Sequence, residues 1–323
     1  MKIIFCISDY RIFTERCIPL AQSLQSVGHE LYCVTPTGID AEIVPTTQCD
    51  WPNFDMDVIE KIHPDLIIVW NGYFNHTLAA VRWLKRRYKV ITMEMGWFHR
   101  ASHSYLATDL AQVSAIAEVP YVPGVAAKEH YQLELEEVRK KFGIEPLEGL
   151  ELPKAFIFIP MQLEHDTQIV YTSNDFKTMN SVIGFVKKKV PQAPILVRNH
   201  PLQLLPVRPG SVIDMTGCST SMPLALAATL VVGINSTLLS EAALFRKPVI
   251  ALGTHVSKGA FLQVANLCSS YLSLRDGVQI KDHADRCDYY SLVLNHNQWS
   301  TEEVPGWIID KIGSGDFGPR IPT

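Results

Sequence analysis

Residues 155–201 read AFIFIPMQLEHDTQIVYTSNDFKTMNSVIGFVKKKVPQAPILVRNHP, and this stretch decides the fold. Residues 156–159 (FIFI) are a short apolar run of aromatic and β-branched side chains, which suits a buried strand. Gln162, Glu164, His165 and Asp166 follow directly. Over 176–190 the apolar residues Phe176, Met179, Ile183 and Val186 recur at helical spacing, and Lys187, Lys188 and Lys189 occupy the last turn, where cations suit the helix dipole. Residues 195–197 form a second strand, with Arg198, Asn199 and His200 after it. Strand, helix and strand make one parallel βαβ unit, so both polar clusters fall at the same sheet edge. In open α/β sheets that carboxyl edge is where ligands bind. The stretch reads as half of an active site.

The same alternation continues on both sides. Toward the N-terminus, strands are predicted over 2–7, 30–35, 65–70 and 89–93, with helices over 17–27, 56–62, 77–87 and 126–142. The first strand-to-helix loop carries no G-x-G-x-x-G, which disfavours a dinucleotide site there. The stretch 102–114 reads as a long irregular loop, of a length that is often functional. Residues 145–153 hold two prolines and a glycine and read as a linker. Beyond the central unit, strands are predicted over 211–213, 230–233 and 249–252, and helices over 223–227, 236–245 and 261–267. A last helix spans 301–312. The expected domains are 1–148, 149–300 and a C-terminal helix and tail, 301–323. Two α/β domains of Rossmann type, with parallel sheets facing a central cleft, resemble the GT-B glycosyltransferase architecture.

Composition narrows the function classes. A length of 323 residues suits about two domains. A net charge of −4, with no basic face studded with aromatics, excludes a nucleic-acid partner. The seven cysteines are scattered without a CxxC pair, as expected of reduced thiols in a cytoplasmic protein. The opening MKIIFCI is too short for a signal peptide and meets Asp9 and Arg11, and no stretch nears the ~20 apolar residues of a membrane span. The basic run RWLKRRYK over 82–89 fits either a solvated helix end or peripheral contact with an anionic inner-membrane surface.

Several clusters can carry chemistry. Glu94 follows a predicted strand and is followed by Gly96, Trp97, Phe98, His99 and Arg100. Asn235, Ser236 and Thr237 lie between a strand and a helix, where Asn235 or Ser236 can act as N-cap and the open N–H groups can hold a phosphate. Glu241, one turn on, reaches either a ribose or solvent. Arg198 suits bidentate phosphate binding, and His200 is either a ligand contact or a structural imidazole. Asp166 and Glu94, from different domains, can serve as nucleophile and acid/base in glycosyl chemistry, with Glu164 and His165 competing for those roles. No HExxH, Cys/His cluster or DxD stands out, so no metal and no cofactor is expected.

Together, Q-x-x-x-D at 162–166, R-x-H-P at 198–201 and N-S-T-x-x-x-E-A-A-x-x-x-K-P-V at 235–249 resemble the bacterial capsule and lipopolysaccharide Kdo transferases, GT-B-like enzymes that use CMP-Kdo. Glu94-x-Gly96 with Asp109 downstream is similar to the E-x-G…D segment of the same group. The resemblance implies a retaining double displacement with Asp166 as nucleophile and Glu94 as acid/base. It implies donor binding by Gln162, Arg198, His200, Asn235, Ser236, Thr237 and Glu241, and a glycan or glycolipid acceptor met by Trp97, His99, Arg100 and Asp109. The turn after the last P-V strand, LGTHVSKG at 252–259, departs from the aromatic, glycine-rich turn usual in the capsule enzymes. Alternatives are a GT-B transferase or epimerase using a UDP- or GDP-linked sugar, and a nucleotide-sugar-binding protein without turnover.

Overall fold

The structure is a computed structural model describing residues 1–6, 17–35, 46–48, 56–70, 83–95, 103–107, 121–123, 147, 149–166, 169–170, 173–203, 212–217, 221–253, 261–296, 299–300 and 302–314. The chain divides into two compact units, Met1–Val113 with Asn295–Arg320, and Ser114–Leu294 with Ile321–Thr323.

In the first unit, β1 (Lys2–Cys6), β2 (Glu30–Thr35), β3 (Thr46–Gln48), β4 (Leu66–Trp70) and β5 (Val90–Met95) run parallel in the order β3-β2-β1-β4-β5. Helix α1 (Ile18–Ser26) covers one face through Leu20, Ala21 and Leu24, and α2 (Met56–Ile62) lies on the other through Ile59. Strand β4, LIIVW, is buried along its length, as a central parallel strand covered on both faces must be. The sheet then departs from the all-parallel expectation. Strand β6 (His103–Ala107) lies antiparallel to β5, within the stretch expected to be irregular. The connection 96–102 is too short for a parallel crossover and long enough for a hairpin.

The second unit holds β7 (Ile157–Pro160), α3 (Met179–Lys189), β8 (Ile195–Arg198), β9 (Ile213–Asp214), α4 (Met222–Ala227), β10 (Leu230–Gly233), α5 (Thr237–Leu244) and β11 (Val249–Ala251). Its described strands run parallel, ordered β11-β10-β7-β8-β9. In chain order this repeats the first unit's arrangement, with the third, second and first strands followed by the fourth and fifth. Residues Met179, Val182, Ile183 and Val186 bury the α3 face against this sheet. A 3-10 turn and α6 (Leu267–Arg275) follow, beginning where the helix expected over 261–267 was to end. Helix α7 (His283–His296) comes next, then β12 (Trp299–Ser300) and α8 (Val304–Ser314). Strand β12 pairs with β6, and α8 buries Val304, Trp307 and Ile308 in the core of the first unit. Among the described residues no helix is long and apolar enough to cross a membrane. The helix expected over 126–142 lies outside the described residues.

Helix α5 is fastened at its C-terminal end. Arg246 donates to Ala243 O at 2.8 Å and Lys247 to Ala242 O at 3.1 Å, a Schellman closure. Arg246 holds φ at +54°, a conformation glycine adopts more readily. Its guanidinium grips Asp288 on α7 at 2.9 and 2.7 Å, and His283 Nε2 lies 3.2 Å from the Arg246 carbonyl. Burial pushes the His283 pKa below its ordinary 6.5, against the pull of the carbonyls of Arg246 and Lys247. The unfolded chain therefore takes up this proton first. The stability His283 contributes is complete above its unfolded pKa of about 6.5 and is lost as pH falls below it. The melting temperature is expected to fall as pH drops from about 7 to about 5, and His283→Gln to flatten that fall. An identical slope in the variant would refute the role given to His283.

Candidate functional site

The carboxyl edge of the second sheet has one topological switch point. The chain leaves β7 toward β8 on one side and returns later to β10 on the other, so the crossovers diverge between β7 and β10. Ligands of doubly wound sheets bind at such openings. Gln162, two residues past β7, reaches across this one. Its Oε1 accepts from Ile234 N and Asn235 N, each at 3.2 Å, and its Nε2 donates to Asn235 Oδ1 at 3.0 Å. The side chain is buried, so these bonds form where water does not compete.

Ser236 is the N-cap of α5, its hydroxyl accepting from Leu238 N at 3.3 Å. Thr237 opens the helix, and Glu241 lies in its second turn, partly buried. The turn is also held from β11: Leu252 donates to Gly233 O at 2.8 Å and Gly253 to Ile234 O at 2.9 Å. A Cβ on Gly253 would stand 2.8 Å from Ile234 Cγ2 and 3.2 Å from Ile234 O, so the close approach requires glycine.

On the other side of β7, Met161 donates to Arg198 O at 2.9 Å, carrying the β7–β8 ladder up to the cluster. Arg198 is buried at 9% accessibility, with Nη1 donating to Ser221 Oγ at 3.0 Å. Asn199 turns away toward β9: its backbone and side-chain N–H groups both donate to Thr216 Oγ1, at 3.1 and 3.0 Å, and Thr216 donates to Asp214. His200 Nδ1 accepts from Leu202 N at 3.1 Å, so in the neutral ring the proton sits on Nε2.

The residues after β7 divide by role. Glu164 Oε1 accepts from Met179 N at 2.7 Å, capping α3 together with Thr178, whose hydroxyl accepts from Ser181 N. That carboxylate serves the fold. Asp166 and His165 are exposed, and the Asp166 carbonyl accepts from Ile169 N and Val170 N at 2.9 Å. Glu94 belongs to the first unit. It lies within β5 rather than after it, partly buried and cross-strand from Tyr105, because the unforeseen β6 extends the pairing to Met95. Trp97, His99, Arg100 and Asp109 lie outside the described residues. Near the basic run, Arg87 lies 4.1 Å over the Trp83 ring, and Trp83 and Tyr88 pack on the core, so these aromatics are engaged by the protein itself. Among the described residues no group of three or more His, Cys, Asp or Glu could hold a metal ion.

Sequence reasoning did not find Ser221 or Gly253. Ser221 precedes a short helix without other signal. The glycine matters only through its approach to Ile234, a residue distant in sequence.

Two Rossmann-like α/β units with a polar cluster at a strand-end switch point define a GT-B-like fold. No protein-family model matches the chain, and no curated protein matches it. Solved structures do. The Thermosulfurimonas dismutans KpsC beta Kdo 2,7 transferase matches with TM-score 0.55 at 15% identity, over 96% of this chain and 99% of that one. The beta Kdo 2,4 transferase of KpsC from the same organism matches with TM-score 0.51 at 13% identity, over 94% and 97%. UDP-GlcNAc 2-epimerase from Neisseria meningitidis, bound to UDP-GlcNAc, matches with TM-score 0.41 at 14% identity, over 97% and 100%. At these identities the likeness is one of fold.

Gly253→Ala is expected to destabilise the protein by about 1–3 kcal/mol, as overpacking of a closed site does. Urea unfolding would measure it; wild-type stability in the variant would show that the Ile234–Asn235 turn yields freely.

Proposed function

We propose that the chain is a glycosyltransferase of bacterial surface-polysaccharide assembly, moving Kdo from CMP-Kdo to a glycan or glycolipid acceptor with retention. The observation that carries this reading is the gathering of Gln162, Asn235 and Ser236 at the switch point of the second sheet, with Arg198 ending β8 and His200 two residues past it on the same edge. The ordered motifs at 162–166, 198–201 and 235–249 support the donor, as does the fold likeness to Kdo transferases over nearly the whole chain.

In this reading the α5 N-terminus and Arg198 hold the cytidylate phosphate. The Asp166 carboxylate attacks the anomeric carbon of Kdo. The bond from that carbon to the phosphate oxygen breaks, and CMP leaves with the electron pair. Glu94 then takes the proton of the acceptor hydroxyl, whose oxygen displaces Asp166 from the glycosyl ester. Two inversions give net retention. Asp166 is exposed past β7, where a substrate can reach it, whereas the Glu164 carboxylate caps the N-terminus of α3. The carboxylate mechanism itself calls for no metal.

Two measurements test the proposal. A ligand that binds only the native state raises the melting temperature, so CMP is expected to shift it while UDP, GDP, ADP and NAD do not. A shift with UDP or GDP instead would discard the CMP-linked donor. Asp166→Asn is expected to lower transfer by on the order of 10³ or more while the CMP shift survives. Full activity in that variant would overturn the nucleophile assignment.

A further inference from the structure

Between β7 and α3 the chain is tied at three points to the residues around the start of the helix. Glu164 Oε1 accepts from Met179 N at 2.7 Å. Ser173 is fully buried and donates through Oγ to Phe176 O at 2.6 Å. Lys177 turns its ammonium back along the chain and donates to Ile169 O at 3.0 Å and to Val170 O at 2.7 Å. Both carbonyls belong to the stretch that opens at Asp166, whose own carbonyl accepts from Ile169 N and Val170 N, each at 2.9 Å. Ile169 O also accepts from Ser173 N at 3.3 Å. These bonds have helical spacing, with Asp166 at the first position and the Lys177 ammonium on carbonyls at the far end. A cation suits the carbonyl end of such a turn.

The two ends of the turn are held differently. Ile169 is fully buried in the same core cluster as Met179 and Val182. Asp166 and Val170 are exposed, so packing does not fix them. A single helical turn is also unfavourable on its own, because one hydrogen bond must fix several residues. Lys177 reaches the turn from a firm base: Phe176, the residue before it, packs edge-on against Phe185 of α3, with ring centroids 5.2 Å apart.

We propose that Lys177 is a positioning residue: by holding the Ile169 and Val170 carbonyls it keeps the turn closed, and so fixes the backbone that aims the Asp166 carboxylate at the anomeric carbon. The inference rests on the reading of Asp166 as nucleophile and adds the group that holds it in place. Both Nζ bonds go to main-chain carbonyls, so Lys177 acts through the turn. An attacking group is sensitive to such support, since a displacement of about 1 Å can cost a hundredfold in rate.

Lys177→Met keeps the reach of the side chain and removes the ammonium, whereas Lys177→Arg keeps a cation with N–H donors. Hydrogen exchange followed by NMR on the full chain reads the turn without any ligand. In Lys177→Met the Ile169 and Val170 amides are expected to exchange at least about tenfold faster, while the Val186 amide within α3 keeps its wild-type protection. With CMP-Kdo as donor, Lys177→Met is expected to lower kcat about tenfold to a hundredfold and to leave the donor KM within about twofold. Lys177→Arg is expected to recover most of that loss. In the Asp166→Asn background, Lys177→Met is expected to change the residual rate less than about twofold, because its effect runs through that carboxylate. Wild-type protection of Ile169 and Val170 in Lys177→Met would overturn the inference. So would an unchanged kcat despite a loosened turn, since the lysine would then serve the fold alone. An equal loss of rate in the Asp166→Asn background would overturn it too. Full activity in Asp166→Asn, or no transfer from CMP-Kdo by the wild type, would overturn the reading of the site first, and the inference with it.

Discussion

Parallel strands cannot be joined by a tight turn, so every carboxyl end in the second sheet faces the same way and every return path lies over a face. The order β11-β10-β7-β8-β9 sends one crossover to each side of β7. Ladder hydrogen bonds end at that point, yet the chain past β10 still presents backbone N–H groups that need partners. The Gln162 side chain supplies them for Ile234 and Asn235. One amide thus continues the sheet by a residue or two beyond its last strand, and the geometry of the Asn235 turn follows from it.

The neighbouring polar groups are held by the same economy. Asn199, buried after β8, is matched by Thr216, which is in turn matched by Asp214 at the end of β9. Only Asn199 in this chain is buried, so losing the Thr216 hydroxyl that its two N–H groups meet costs about 1–3 kcal/mol, whereas the exposed Thr216 and Asp214 can bond to water instead. Of the two carboxylates past β7, Glu164 accepts from the N-terminus of α3, and Asp166 is exposed. Residues two apart in sequence therefore stand differently in the structure, one capping a helix and the other exposed.

Much of this was legible before any coordinates. The apolar runs of β2, β4, β7 and β10 and the helical spacing of α3 are local signals; each of these strands stands within a residue of its expected place, and α3 starts three residues later than expected. What was not legible is non-local. Strands β3, β6 and β12 are short or polar and exist through the partners they pair with. Helix α7 escaped because HADRCDYYSLVLNH clusters its apolar residues rather than spacing them, with the fully buried Tyr289 beside Tyr290. At the site, the residue types were readable and their partners were not. Gln162 was singled out for a ligand, but nothing in Q-x-x-x-D says that its amide meets Asn235, far along the chain.

The first unit is not continuous in sequence. Its edge strand β12 and the helix bearing Trp307 and Ile308 come from the last part of the chain, after the whole of the stretch Ser114–Leu294. A ribosome working from the N-terminus makes Ser114–Leu294, nearly all of the second unit, while the first still lacks a strand and part of its core. The usual order of emergence, with the N-terminal domain finished first, is therefore inverted. Until residues 299–314 leave the exit tunnel, the core around Leu20 and Leu24 of α1 lacks Val304, Trp307 and Ile308, and the nascent first half is the part most in need of shelter from aggregation.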